Sequence, residues 1–364
     1  MREKHAVIEA LSLGVRGAGR RLCQFGLLVL LVVLVLQPAA ALERALLVGV
    51  SHYPALPGRD LAGPVNDLRL MRHLLAEMAV PAERVTVLAE EGASSGHLPT
   101  RANILRALAR LGQQSQRGDW VLVYLAGHGA QVPQLPASAG GRPEQDGLDE
   151  VFLPRDTQQW DVATQTVRGA LRDKELGAAL RLIQSKGVNV WAIFDTCHAA
   201  DMLRRPQAVV PATSSWRFVS PQDLRIPMAL WADRLERSWA AWLSPAPRRL
   251  RTMAALQPEA GRTKTAGHLV TFFSSQKGEG TLEELRPDPL EAQQMRRYGL
   301  FTYELVRAAQ GWRGSFAELA GRIELAYEQR PFPTPQFNGA LSGRPLAGAD
   351  HGRKASAAAS ELER

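Results

Sequence analysis

The sequence of 364 residues has little cysteine, few aromatic side chains and little excess charge. Its two cysteines, Cys23 and Cys197, cannot form a disulfide framework, and no His/Cys cluster has the spacing of a structural zinc site. Aromatic residues make up 6% of the chain and are not interleaved with basic residues, as they would be in a nucleic-acid-binding surface. The net charge of +8 is spread along the chain. We therefore expect no metal, no cofactor and no nucleic-acid partner.

One long hydrophobic run lies near the start of the chain, from Phe25 to Leu36. Arg16, Arg20 and Arg21 lie shortly before it, and Pro38 and the small-residue site Ala39–Ala41 follow it. This order is typical of a secretory signal peptide, so we predict cleavage after about Ala41 and a periplasmic or secreted protein. The run is shorter than the roughly 20 residues that span a bilayer. An uncleaved anchor is the alternative, and only then do we expect contact with a membrane.

After this segment, short apolar runs alternate with helical patterns. The runs bounded by turn residues are 45–50, 84–88, 120–125, 188–194 and 268–273. Amphipathic patterns follow Pro64, Thr100 and Asp173. The alternation predicts an α/β fold with a mostly parallel sheet covered by helices on both faces, with function at the carboxyl ends of the strands.

Residues 206–262 interrupt this alternation with repeated prolines and a short basic stretch. We expect a long surface insertion there. Regular structure resumes with the strand at 268–273 and with a helix opened by the capping-box pair Ser315 and Glu318. We expect a disordered tail over residues 346–364.

Two of the predicted strands end in polar residues that are able to do chemistry. The first ends in Ala-Gly-His-Gly with His128, and the second in Asp-Thr-Cys-His with Cys197. If the strands are neighbours, the imidazole meets the thiol in one crevice and lowers its pKa, and the amides of Gly129 and Cys197 face a developing oxyanion. The alternatives are a buried structural thiol and a histidine satisfied by its surroundings. A metal site at His198 lacks a third ligand nearby.

An ordered set of motifs resembles the bacterial metacaspases, a group of caspase-like peptidases. The motifs are ALLVGVSHY at 45–53, LAGPVNDL at 61–68, PTRANI at 99–104, GDWVLVYLAGHG at 118–129, DGLDEVFLPRD at 146–156 and FDTCH at 194–198, with weaker agreement in FFSSQ at 272–276, GLFTYEL at 299–305 and TPQ at 334–336. The resemblance implies one peptidase domain over residues 43–345. Within it, residues 43–205 are similar to the large subunit of these peptidases and residues 263–345 to the small subunit.

The resemblance also implies a caspase-hemoglobinase three-layer α/β/α sandwich and a monomeric cysteine endopeptidase. His128 and Cys197 match the family's catalytic dyad. Asp67 and Asp195 match the acidic residues of its S1 pocket, which implies protein or peptide substrates cut after Arg or Lys. Paired carboxylates in a desolvated pocket fit that preference.

For an enzyme that cuts after basic residues, the insertion carries possible self-cleavage sites at Arg248, Arg249 and Arg251. Two departures from the family pattern leave room for a second function. The position two residues before the histidine holds Ala126, and two alanines follow His198. A catalytically inactive binding or signalling module is therefore the alternative.

The sequence also predicts calcium independence. Calcium-dependent members carry an aspartate cluster, but this chain has Lys174 beside Asp173 and Arg204 seven residues after the cysteine. Positive charge at these positions opposes cation binding. Asp146, Asp149 and Glu150 are either a weak oxygen-ligand site or a solvated acidic loop, and we favour the loop.

Overall fold

A computed structural model describes most of the chain after the first 42 residues. The described ranges are 43–91, 95–134, 147–197, 214–231, 266–276, 279–291, 293–330 and 333–344. They all lie in one compact unit, Ala41–Arg364. The predicted signal peptide, residues 1–41, and the predicted tail, residues 346–364, lie outside the described residues.

The described residues form strands and helices in alternation. The strands are β1 (Glu43–Gly49), β2 (Val85–Leu88), β3 (Trp120–Ala126), β4 (Gly129–Pro133), β5 (Leu148–Phe152), β6 (Trp160–Asp161), β7 (Thr166–Val167), β8 (Leu171–Arg172), β9 (Asn189–Asp195), β10 (Ser214–Trp216), β11 (Leu269–Phe273), β12 (Leu282–Pro287), β13 (Met295–Gly299) and β14 (Gln336–Gly339). The helices are α1 (Gly63–Glu77), α2 (Arg101–Gln114), α3 (Asp173–Ser185), α4 (Leu300–Ala309) and α5 (Phe316–Tyr327). None of these helices combines the length and the apolar character needed to cross a membrane.

The central sheet has six strands in the order β14-β11-β9-β3-β1-β2. The five strands predicted from apolar runs are β1, β2, β3, β9 and β11, and each pairs in parallel with its neighbours among them. The sixth, β14, runs antiparallel at the edge beside β11. The predicted fold class is therefore confirmed, and β3 and β9 form the middle of the sheet.

Helices cover both faces of the sheet because successive strand side chains point to opposite sides. On one face, Val121 and Val123 of β3 belong to the core that also contains buried residues of α2 and α3. On the other face, Leu122 and Tyr124 belong to the core that contains residues of α1, α4 and α5. Every residue of β3 is consequently buried.

Local signals fix where the helices begin. Pro64 lies in the first turn of α1, where its missing N–H is not needed. The Thr100 side chain accepts a hydrogen bond from the backbone of Asn103 at the start of α2. Ser315 and Glu318 form the predicted capping box of α5. These predictions of helix starts are confirmed.

The predicted surface insertion is wrong for its described part. Residues 214–231 contain β10, which pairs with β12 in a small sheet with β13. Val219, Leu224 and Trp231 are buried, and Arg217 is completely inaccessible to solvent. The prolines limit regular structure in this stretch, but the apolar side chains between them still pack against the domain.

Candidate active site

His128 and Cys197 lie at the same edge of the central sheet. Ala126, the last residue of β3, pairs with Asp195, the last residue of β9, and each side chain of interest follows two residues later. Both side chains are buried. The backbones of Gly129 and Cys197 are so close that a Cβ added to Gly129 would lie 1.8 Å from the carbonyl oxygen of Cys197. Strand register therefore brings together the two residues that the sequence predicted to meet.

The His128 ring is held from two sides. Its Nε2 lies 2.7 Å from the carbonyl oxygen of Arg59. A carbonyl only accepts, so Nε2 carries the proton and the lone pair is on Nδ1. The backbone N–H of His128 donates to the Tyr53 hydroxyl over 2.7 Å, and the two rings pack with centroids 4.9 Å apart. Nδ1 is buried and makes no hydrogen bond with the described residues, so it is available as a base.

The Cys197 thiol is held by Thr281, the residue just before β12. The backbone N–H of Thr281 donates to Sγ over 2.6 Å, and Sγ lies 3.1 Å from the Thr281 carbonyl oxygen. Sequence reasoning missed both Thr281 and Arg59, because each acts through its backbone and no side-chain signal marks it.

Burial keeps both groups neutral in this arrangement. Desolvation raises the pKa of the Cys197 thiol to about 12, although the hydrogen bond from the Thr281 backbone opposes the shift. Desolvation also lowers the pKa of His128 to about 4, against the opposing effect of the Arg59 carbonyl. The expectation that the pKa of the thiol is lowered is thus wrong here, because loss of water outweighs the Thr281 hydrogen bond and the charge of Arg217, which favour the thiolate.

Asp67 of α1 and Asp195 of β9, two residues before the cysteine, are both fully inaccessible to solvent. Both carboxylates pair with the guanidinium of Arg217. Its Nη2 contacts Asp67 Oδ2, and its Nη1 lies 3.1 Å from Asp195 Oδ2. A third carboxylate, Glu283 of β12, lies 3.9 Å from Nη2. We name the space among these three carboxylates the acidic pocket.

Backbone and hydroxyl donors fix the carboxylates of the acidic pocket. Gly299 N–H donates to Asp67 Oδ1 over 2.9 Å, and Thr302 donates to Asp195 Oδ2 from both its N–H and its hydroxyl. Gly63 N–H donates to Glu283 over 2.9 Å. A Cβ at Gly299 would lie 2.1 Å from Asp195 Oδ2, so this position accepts only glycine.

The pKa of Asp67 shows how strongly the acidic pocket requires a cation. Desolvation raises it to about 7, and the nearby Asp195 adds to the increase, even though Arg217 opposes both. Buried carboxylates so close together remain ionised only with a positive partner. Sequence reasoning found Asp67 and Asp195 but missed Glu283, which has no motif around it, and it missed Arg217, which we had placed on the surface.

The expectation of a solvated acidic loop is wrong for Asp149 and Glu150. Both belong to β5 and are buried. Asp149 pairs with Arg172 and also with Lys174, whose Nζ lies 2.5 Å away. The two basic side chains therefore occupy the positions around Asp149 where a cation would bind. Among the residues with described positions, no group of three His, Cys, Asp or Glu side chains could hold a metal ion.

Several predicted residues lie outside the described part of the chain. They are Asp146, His198, Arg204 and the three self-cleavage candidates Arg248, Arg249 and Arg251. The predictions made for them stay predictions.

The central sheet has helices on both faces, and a buried histidine and a buried cysteine follow its two central strands. This arrangement defines a caspase-like α/β domain. A crystal structure of protein GSU0716 from Geobacter sulfurreducens has a similar fold, with a TM-score of 0.53 and 22% identity over 84% of this chain and 98% of that one. Residues 43–206 match the family described as metacaspase, peptidase C14 domain. These residues belong to the metacaspase family of caspase-like C14 peptidases.

Two curated relatives illustrate the extent of the similarity. Metacaspase-1 of Kluyveromyces lactis is 28% identical over 193 residues, which cover 51% of this chain and 41% of that protein. Metacaspase-1A of Aspergillus oryzae is 32% identical over 165 residues, which cover 45% of this chain and 36% of that protein. The matched region thus spans well under half the length of these relatives.

Proposed function

We propose that this protein is a cysteine endopeptidase that cleaves peptide bonds after arginine or lysine. The observation that carries the proposal is the acidic pocket beside Cys197, which holds a guanidinium between buried carboxylates. A substrate arginine at the same place makes charge-assisted hydrogen bonds to Asp67 and Asp195, and an acidic side chain is repelled.

His128 Nδ1 takes the proton from the Cys197 thiol as Sγ attacks the carbonyl carbon of the bond to be cut. A neutral thiol beside a neutral imidazole suits this order of events, because the thiolate forms only as the bond to carbon forms. The backbone N–H groups of Gly129 and Cys197 stabilise the negative oxygen, and each such donor contributes about 10²–10³ in rate. The leaving amine takes the proton from His128, and water then hydrolyses the thioester.

The test is hydrolysis of matched fluorogenic peptides that differ only in the residue before the scissile bond. Arginine and lysine peptides should be turned over, and glutamine and aspartate peptides should not. Cys197→Ala is the control, because it removes the nucleophile and leaves the acidic pocket unchanged. Equal turnover by Cys197→Ala, or a preference for aspartate, would contradict the proposal.

The second candidate function is an inactive binding module, which the alanines at 126, 199 and 200 favour. Ala126 is the last residue of β3 and is buried against the other core residues of its face. Binding and hydrolysis of an arginine peptide by the purified protein distinguish the two functions. Only the inactive module predicts that the peptide binds without being hydrolysed.

A further inference from the structure

The two contacts that hold His128 both come from residues 51–61, a loop between β1 and α1. The Tyr53 hydroxyl accepts from the backbone N–H of His128 over 2.7 Å, and the Arg59 carbonyl oxygen lies 2.7 Å from Nε2 of its ring. The first contact fixes the backbone of the histidine, and the second fixes the tautomer and the direction of its ring. The direction in which Nδ1 points therefore depends on the shape of the 51–61 loop.

Backbone hydrogen bonds fold this loop back on itself. The Leu61 N–H donates to the Ser51 carbonyl over 2.8 Å and brings the two ends together. Between them, the Leu56 N–H donates to the Tyr53 carbonyl over 2.9 Å, and the Arg59 N–H donates to the Leu56 carbonyl over 3.2 Å. The Leu56 side chain is buried and joins the middle of the loop to the core. The loop thus presents Tyr53 and Arg59 to the same histidine.

The Asp60 carboxylate connects the two parts of the loop that contact the histidine. Its Oδ1 accepts from the Tyr53 N–H over 2.9 Å, and its Oδ2 lies 2.7 Å from Nδ1 of His52. Asp60 also follows directly after Arg59 in the chain. One carboxylate therefore joins the residue that carries the hydroxyl to the peptide that carries the carbonyl.

Asp60 is ionised near neutral pH. Desolvation raises the pKa of its carboxyl, but the hydrogen bonds from the Tyr53 N–H and the His52 ring together lower it by more. The pKa of Asp60 is therefore below its ordinary value. An ionised carboxylate accepts through both oxygens, and its hydrogen bonds are stronger than those of a neutral acceptor.

We propose that Asp60 is a positioning residue, which closes the 51–61 loop and so holds Tyr53 and Arg59 against His128. This rests on the proposed function, in which Nδ1 of His128 is the base. Without the carboxylate, the Tyr53 N–H loses its acceptor and the loop relaxes. The imidazole then takes up orientations from which Nδ1 does not reach the thiol proton. Displacing a catalytic group by about 1 Å lowers a rate by as much as about 10²-fold.

Steady-state kinetics on an arginine peptide test this role, in the Arg217→Ala background that leaves the acidic pocket free. Asp60→Ala should lower kcat by roughly tenfold or more and leave KM within about twofold, because the base is displaced while the acidic pocket is unchanged. Asp60→Asn, whose amide oxygen still accepts from the Tyr53 N–H, should keep at least roughly a third of the kcat.

Asp161→Ala is the matched control, because Asp161 accepts from two backbone N–H groups in the turn between β6 and β7. It removes a loop carboxylate of the same kind and should leave kcat unchanged. A purely structural Asp60 would lower the temperature of unfolding without changing the kcat of the folded enzyme. An unchanged kcat in Asp60→Ala, or an equal loss in Asp60→Asn, would overturn the proposal.

Tyr53→Phe tests the same contact if Asp60→Ala does not fold. It removes only the hydroxyl that accepts from the His128 N–H, so a buried donor loses its partner. Its kcat should also fall by roughly tenfold, with KM unchanged. Tyr327→Phe is the control, since Tyr327 is buried and its hydroxyl makes no hydrogen bond with the described residues. Equal kcat values for the two variants would overturn the proposal.

The tautomer of His128 is a readout that does not require turnover. Heteronuclear NMR of the histidine side chains should show Nε2 protonated in the wild type and a mixture of tautomers in Asp60→Ala. The signal is identified by its loss in His128→Gln. Identical spectra for the wild type and Asp60→Ala would overturn the proposal and leave the proposed function intact. If no peptide were hydrolysed, the proposed function would fail, whereas a tautomer mixture in Asp60→Ala would still support Asp60 as the residue that holds the ring.

Discussion

The acidic pocket makes a quantitative prediction for Asp67→Asn. The substitution keeps the size of the side chain and removes one of the charges that face the guanidinium. One oxygen of Asp67 accepts from the Gly299 N–H, so an asparagine that keeps this bond turns its NH₂ group toward the cation. The NH₂ group of the asparagine and the guanidinium are both hydrogen-bond donors, so the hydrogen bond between them would be lost. Removing one partner of a buried charge pair costs about 2–5 kcal/mol.

We expect a loss in the lower half of that range, because Asp195 and Glu283 still face the cation. A loss of about 2–3 kcal/mol corresponds to a roughly 30- to 150-fold fall in kcat/KM for arginine peptides. Peptides with glutamine before the scissile bond carry no charge and should change little. The ratio of kcat/KM between the two peptides is therefore the quantity to measure, in an Arg217→Ala background that leaves the pocket free.

Glu77→Gln is the matched control, since it removes an exposed carboxylate from the same helix, α1. It should leave the ratio unchanged, and thermal unfolding should verify that both variants fold. If Asp67→Asn lowered kcat/KM equally for arginine and glutamine peptides, the acidic pocket would not be where the basic side chain binds. The assignment of specificity would then be wrong.

Three other predictions concern the backbone, protons and calcium. Gly129→Ala should abolish turnover and lower the temperature of unfolding, because its Cβ would lie 1.8 Å from the Cys197 carbonyl oxygen. Gly321→Ala in α5 is the control, since its Cβ meets nothing within 4 Å and should raise the free energy of unfolding by about 0.5–1 kcal/mol. An active Gly129→Ala enzyme would refute the backbone contact. In Arg217→Ala the pKa of Asp67 should rise above its value of about 7, because the cation that lowered it is gone. Binding of an arginine peptide then displaces a proton, so KM should fall as pH rises through 7, and a flat profile between pH 6 and 8 would contradict this. Turnover should be the same in EGTA and in millimolar calcium, because Lys174 already neutralises Asp149, and activation by calcium would show that a cation site exists.

The sheet and its helices could be predicted because their signals are local. Apolar runs of strand length mark β3 and β9, and Thr100 and Ser315 cap the helices that follow them. The positions of His128 and Cys197 just after two predicted strands also indicated that these residues would lie close together. Neighbouring parallel strands bring their carboxyl ends to the same edge of the sheet. The assignment of Asp67 and Asp195 to one pocket depended on the family resemblance, since 128 positions of chain separate them.

The rest of the site could not be predicted because it depends on burial and on distant partners. Arg217 lies in a proline-containing stretch without periodicity, and its partner Asp67 is 150 residues away. The pKa of the thiol is set by the amount of protein that covers it, which a local sequence does not report. Asp149 was misassigned for the same reason, since Arg172 and Lys174 come from β8 and the start of α3.

The three carboxylates of the acidic pocket explain both the proposed substrate selection and the burial of Arg217 among them. A pocket that selects arginine by buried negative charge is unfavourable when empty, because two or three desolvated carboxylates repel one another and must take up protons or a cation. An arginine on the same chain reaches that pocket at an effective concentration on the order of millimolar, which exceeds most substrate concentrations. Arg217 supplies that cation in the structure, and its guanidinium contacts both Asp67 and Asp195.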